Sequence, residues 1–193
     1  MASTLLLQTA TYFDHSLFEE LQKHLALSWE SFEDLEFYRL VTSPFLQTSP
    51  GFSGTILGLT YLVVPTFELR AGTARTLLTF FAGDMFSTVP ILIVLKVAGA
   101  FGNAAASTLA NTPDSGSSSG GFACLGALTC ALPLKLRLIS TTGLVVFFAV
   151  RFAFWHRLFD FQHALATAVG ASVWLVWEHR NTIQLPESRA ARQ

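Results

Sequence analysis

The run TLLTFFAGDMFSTVPILIVLKVAGAF, residues 76–101, decides the fold class. Asp84 and Lys96 are its only charged residues, and Pro90 lies between them. Crossing the hydrocarbon core of a bilayer takes about 20 predominantly apolar residues in a helix. The run is long enough, and a helix satisfies its own backbone polar groups where no water is present. Four further apolar stretches flank it, at about Phe52–Phe67, Gly120–Leu134, Leu138–Trp155 and Phe161–Trp177. The composition agrees: 51% of the 193 residues are hydrophobic, 18 are phenylalanine and only 13% are Asp, Glu, Lys or Arg. Soluble domains carry roughly 25% charge, and the mean hydropathy here is +0.48. The expected fold is an all-α polytopic transmembrane bundle of about five spans.

Charge also excludes whole classes of function. A net charge of −1 is wrong for a protein that holds nucleic acid by neutralising phosphates, so no nucleic-acid partner is expected. A chain this apolar is not disordered. Cys124 and Cys130, six positions apart in one apolar run, fall on different helix faces and make neither a disulfide framework nor a metal site. Neither metal nor cofactor is called for. Met1 to Thr11 holds Leu5, Leu6 and Leu7 without a basic segment or cleavage site, and reads as no secretory signal peptide.

Residues 1–40 form an acidic arm. Seven of the 13 acids lie between Asp14 and Glu36. Ser16 and Glu19 have the spacing of a capping box ahead of Leu17, Leu21 and Leu25 at helical intervals. Trp29, Phe32, Phe37 and Tyr38 among the acids suit the membrane–water interface, where amphipathic rings settle; packing on the rest of the protein as a small helix is the simpler alternative. Residues 41–180 make the membrane domain and 181–193 a polar tail. Residues 102–121, rich in Ala, Ser, Gly and Asn, read as a flexible loop. Seven of the 12 basic residues fall in three segments, at Arg70 and Arg75, at Lys135 and Arg137, and at Arg180, Arg189 and Arg192. If all five stretches cross, these segments share one side. The positive-inside rule makes that side, and the C-terminus, cytoplasmic. The arm and the Gly/Ser loop then lie outside.

Ser117, Ser118 and Ser119 precede the short third stretch, and His163 lies about one turn inside the fifth, which enters from the same face. A hydroxyl and an imidazole at similar depth on neighbouring helices are what nucleophilic acyl transfer requires. The simpler readings are a flexible loop capping a helix and a histidine hydrogen-bonded between helices. The literal GxSxG of residues 116–120 lacks the preceding buried strand that a nucleophile elbow needs. Asp84 and Lys96 are costly in lipid and belong inside the bundle or, for Lys96, at its rim. Gly54 with Gly58, and Ala166 with Gly170, mark close helix packing.

Taken in order, these strings resemble the rhomboid superfamily, closest to its divergent bacterial rhomboid-like group. Residues 38–46, YRLVTSPFL, resemble the segment before the second rhomboid helix. Residues 68–75, ELRAGTAR, are similar to the turn between the second and third helices. Gly116-Ser117-Ser118 is similar to the Gly-x-Ser that carries the nucleophile, Gly126-Ala127 to the glycine-rich continuation of that helix, and residues 160–163, DFQH, to the start of the sixth helix, where the catalytic histidine lies. The resemblance covers about Tyr38 to Trp177. It implies a serine intramembrane protease fold, with Ser118 as nucleophile, His163 as general base and a transmembrane segment as substrate. A bacterial inner membrane is the implied location, with lipid and transmembrane helices of other proteins as partners.

The family's initial helix has no counterpart in Met1 to Phe13, so the chain is expected to begin after it. The oxyanion-supporting His and Asn fall at Phe52 and Ile56, whose side chains donate no hydrogen bond. Ser119 stands where a glycine normally follows the nucleophile, which leaves Ser118 and Ser119 both open. Two functions therefore stand side by side: an active Ser–His intramembrane protease, and an inactive rhomboid-like protein that binds transmembrane helices or serves as a subunit of a membrane complex.

Overall fold

The sequence builds helices wherever described, and the computed structural model describes residues 14–47, 58–155 and 158–190. Helices α1 (His15–Leu25), α2 (Trp29–Glu33) and α3 (Arg39–Thr42) form the arm, and α3 runs into a 3-10 turn at Ser43–Phe45. A π-turn at Leu59–Val63 leads into α4 (Val64–Ala71), followed by α5 (Thr73–Ala100), α6 (Ala104–Asn111), α7 (Ser118–Cys130), α8 (Leu134–Trp155) and α9 (Leu158–Ala190). No strand occurs among the described residues; the nearest thing is an isolated antiparallel bridge between Leu27 and Asp114. Two helices, Thr73–Ala100 and Leu134–Phe154, are long and apolar enough to cross a membrane. The apolar stretches at Gly120–Leu134 and Phe161–Trp177 lie in α7 and α9. That at Phe52–Phe67 is described only from residue 58, and Gly54 lies outside the described residues.

Helix α5 turns a mainly polar and small-residue face inward, with Leu92 and Leu95 at one end of it, and large apolar side chains outward. On α5 the buried positions include Thr76, Thr79, Gly83, Asp84, Ser87 and Thr88, recurring every three to four residues on one face. Leu77, Leu78, Phe86 and Val94 are exposed on the other faces. On α8, Leu138, Ile139, Val145, Val146 and Phe154 are exposed. Water would reward the reverse arrangement. In lipid, small residues let helices approach closely while large apolar ones face the solvent.

Helix α7 occupies the centre. Phe122, Ala123, Cys124, Gly126 and Ala127 are all buried, packed by Leu59, Phe148 and Ala166 on one side and by Val64 and Phe67 on another. Its crossing with α9 brings backbone against backbone. A methyl group on Gly126 would strike the carbonyl of Thr167, and one on Gly170 would strike that of Ala123. Overpacked core sites typically cost 1–3 kcal/mol. Gly170→Ala is expected to lose about 3 kcal/mol in reversible unfolding from detergent micelles, because backbone is the obstacle. Gly143→Ala on α8, with nothing within 4 Å of the added carbon, is expected to stabilise the protein by about 0.5–1 kcal/mol, because alanine is the better helix former. Equal effects at the two sites would disprove the close crossing.

Three sequence expectations need correction. The capping box at Ser16 and Glu19 is replaced by Asp14, two residues earlier, whose carboxylate accepts from the Leu17 amide at 3.1 Å and from Ser16 Oγ at 2.6 Å; aspartate caps a helix as well as serine does. A reciprocal box does form at Ser28 and Ser31. The flexible loop of residues 102–121 contains α6, because Asn103 Oδ1 caps the Ala106 amide at 3.1 Å and Ala106 and Ala110 pack on Leu95. Alanine's helix propensity outweighs the turn signals of its neighbours. Gly58, expected at a close helix contact, has open space around it.

The arm packs onto this bundle through Leu27, Leu40 and Leu92. Lys96 reaches out of α5 to Glu33 at 2.9 Å, with its ammonium 5.3 Å from the centre of the Trp29 ring. The bond from Lys96 holds the Glu33 carboxyl below its ordinary range.

Candidate active site

Ser118 is the first residue of α7, and His163 lies on the second turn of α9. The close α7–α9 crossing holds the two helix ends together. Nε2 of His163 lies 2.9 Å from Oγ of Ser118, within hydrogen-bond reach for proton transfer. The imidazole stacks on Phe122, one turn along α7 from Ser118, with ring centres 4.5 Å apart and an interplanar angle of 25°. The ring is therefore oriented by packing. Ser119 is buried and, like Ser118, lines the cavity described next.

A cavity of about 330 Å³ opens over the pair. That is within the range of small-molecule sites. Its polar walls include Gln47, Asp84, Asp114, Arg151, Asp160 and Gln162. Asp160 is almost wholly buried, and its Oδ1 accepts from Nε and Nη2 of Arg151, both at 2.7 Å. Oδ2 of Asp160 is buried without a hydrogen-bond partner among the described residues. Gln162 donates to Thr88 Oγ1 at 2.7 Å and to Asp114 Oδ2 at 3.4 Å. Asp84 thus faces the bundle interior, whereas Lys96 sits at the rim.

The loop that presents Ser118 is held by the arm. Leu27 and Asp114 exchange backbone hydrogen bonds at 2.9 and 2.7 Å, and the Gly116 amide donates to the Ser43 carbonyl at 3.2 Å. Gln22 Nε2 donates to the Gln47 carbonyl and to Ser115 Oγ, each at 3.2 Å. Gly116 has φ of 144°, a conformation essentially restricted to glycine. It turns the chain so that Ser118 begins the helix beside the cavity.

Burial pushes the Asp114 carboxyl above the ordinary carboxylate range, against the opposing effect of the Gln162 hydrogen bond. A raised folded-state value means the neutral acid stabilises the fold. That stabilisation is complete below the unfolded value near 3.8 and is lost as pH rises through the folded value. Wild type is accordingly expected to lose stability relative to Asp114→Asn as pH rises above about 4. Parallel stability curves for the two proteins over that rise would refute a buried neutral Asp114.

Sequence reasoning singled out Ser118, Ser119, His163 and Asp84, and all four line this cavity. It missed Gln47, Asp114, Gln162 and the Arg151–Asp160 pair. The last had a signal: two opposite charges, nine positions apart, sit near the adjoining ends of two largely apolar stretches, where an unpaired charge is costly. Phe52 and Ile56 lie outside the described residues. Among the described residues no group of three or more His, Cys, Asp or Glu side chains converges as a metal site. Comparison with family models, curated proteins and solved structures finds no match to this chain.

Proposed function

We propose that this chain is a rhomboid-like integral membrane protein of about five spans, with its C-terminus cytoplasmic, that hydrolyses transmembrane segments by a Ser118–His163 dyad. The observation that carries the reading is the 2.9 Å contact between Nε2 of His163 and Oγ of Ser118 at the floor of a polar cavity. Support for the membrane setting comes from two helices long and apolar enough to span and from the apolar exterior of α5 and α8. Helix α7 is about 20 Å long at 1.5 Å per residue, so its N-terminus lies below the bilayer surface if its far end reaches the opposite interface. Polar non-helical backbone at such depth lines protein-enclosed, water-accessible space.

The chemistry follows from the geometry. Oγ of Ser118 attacks the scissile carbonyl carbon while His163 Nε2 takes the hydroxyl proton. The carbonyl π electrons move onto oxygen, facing the unpaired N–H groups and positive dipole of the α7 N-terminus. Collapse of this intermediate breaks the C–N bond, and His163 returns the proton to the departing amine. Water then attacks the acyl ester with His163 again as base, which releases the new carboxyl group and restores Ser118.

A fluorophosphonate probe applied to the full chain in liposomes tests the reading. Labelling of wild type that disappears in Ser118→Ala is the expected result. Labelling that survives there but disappears in Ser119→Ala moves the nucleophile by one residue. A wild type that stays unlabelled at every pH, with probe access shown on a known serine hydrolase in the same liposomes, overturns the protease reading in favour of a helix-binding protein or complex subunit.

A further inference from the structure

Oγ of Ser118 and the side-chain amide of Gln47 border the same small space. The point that a Cβ of Gly116 would occupy lies 3.7 Å from Ser118 Oγ and 3.8 Å from Gln47 Oε1. That place is open only because residue 116 is glycine. Gln47 is buried, lines the cavity and donates from Nε2 to Ser117 Oγ at 3.1 Å. Its backbone is fixed by Gln22 through the hydrogen bond to its carbonyl.

The amide has two interchangeable settings. Its last torsion joins sp³ and sp² carbons and is broad and roughly two-fold. A half-turn exchanges nitrogen and oxygen, and the Ser117 hydroxyl, which accepts from Nε2, can equally donate to Oε1. The contact with Ser117 therefore survives the turn, while the NH₂ group swings toward the space beside Ser118. A carbonyl oxygen held there becomes an oxyanion when Ser118 attacks.

We infer that Gln47 is the side-chain donor of the oxyanion hole, turning its amide toward the developing negative charge while Ser117 holds the other edge. This inference rests on the protease reading. It supplies from the loop before the π-turn a hydrogen-bond donor that Phe52 and Ile56 cannot provide. Loss of one such donor typically lowers the rate by about 10²–10³-fold.

The test measures second-order fluorophosphonate labelling rates of the full chain in liposomes across pH. Phosphonylation also builds negative charge on an oxygen, so it needs the same donor. Gln47→Met, close in volume and unable to donate, is expected to react about 10²-fold more slowly or worse. Its pH profile should keep the wild-type shape, because the profile reports His163. Gln47→Glu, close in shape but acceptor-only when ionised, is expected to lose at least as much near neutral pH. Thermal midpoints measured alongside identify any variant that fails to fold, and the other variant then decides. Folded variants that label at the wild-type rate overturn the role of Gln47 and leave the dyad standing. In Gln47→Met, which adds no titrating group, a slower rate with a shifted pH profile overturns it too, in favour of a structural role for Gln47 beneath the dyad. A wild type that never labels overturns the dyad and the oxyanion donor together.

Discussion

Ser118→Ala is expected to lower cleavage of a reconstituted transmembrane substrate by about 10⁴–10⁶-fold, and His163→Gln by a similar factor. The two losses should not add. Nucleophile and base act as one unit, so the double variant is expected to be no slower than the worse single one. Residual activity would come from binding and from the groups that face the oxyanion. Ser119→Ala is expected to retain most activity, since the 2.9 Å contact belongs to Ser118. Substrate cleavage in liposomes, followed by separation of the fragments, gives these ratios directly. Additive losses, or a larger loss at Ser119 than at Ser118, would contradict the dyad as drawn.

Arg151→Ala is expected to destabilise the protein by about 2–3 kcal/mol, less than the range for a fully buried ion pair because the Arg151 side chain is 34% exposed while that of Asp160 is buried. Asp160 is 1% exposed, and one of its oxygens lacks a partner among the described residues. Taking away the two guanidinium bonds at 2.7 Å leaves that carboxylate alone. Replacing both residues, as Arg151→Met with Asp160→Leu, is expected to recover most of the loss, because removing both partners also removes the stranded charge. Equilibrium unfolding in mixed micelles measures both. A single variant within about 1 kcal/mol of wild type would mean that the pair contributes no more than an exposed one.

Those two expectations draw on different kinds of information. The meeting of Ser118 and His163 was legible from the order of short strings along the chain, since each sits next to a recognisable local pattern. The apolar α5 and α8 were legible from composition alone. Gln47 was not, because a lone glutamine in an irregular segment has neither period nor spacing to announce it; only the arm's contacts with the Gly116 loop place it. Helix α6 was obscured by the Gly, Ser and Asn around an alanine run whose packing on Leu95 is a tertiary fact. The Arg151–Asp160 pair could have been noticed, yet its burial depends on how α9 leans against α8.

The glycine crossing of α7 and α9 bears on how the molecule is assembled. Residues 118–130 are short, rich in Gly and Ser, and poor in the bulky side chains that favour insertion into lipid. Their long partner is made afterwards, from Leu158 onward. During synthesis α7 can settle against α5 and the π-turn, but the surface carrying Gly126 stays uncovered until α9 emerges. The Ser118–His163 contact therefore forms only after the residues from Leu158 onward have been made. A nascent chain arrested before Phe161 lacks His163, so on the protease reading its Ser118 has no general base.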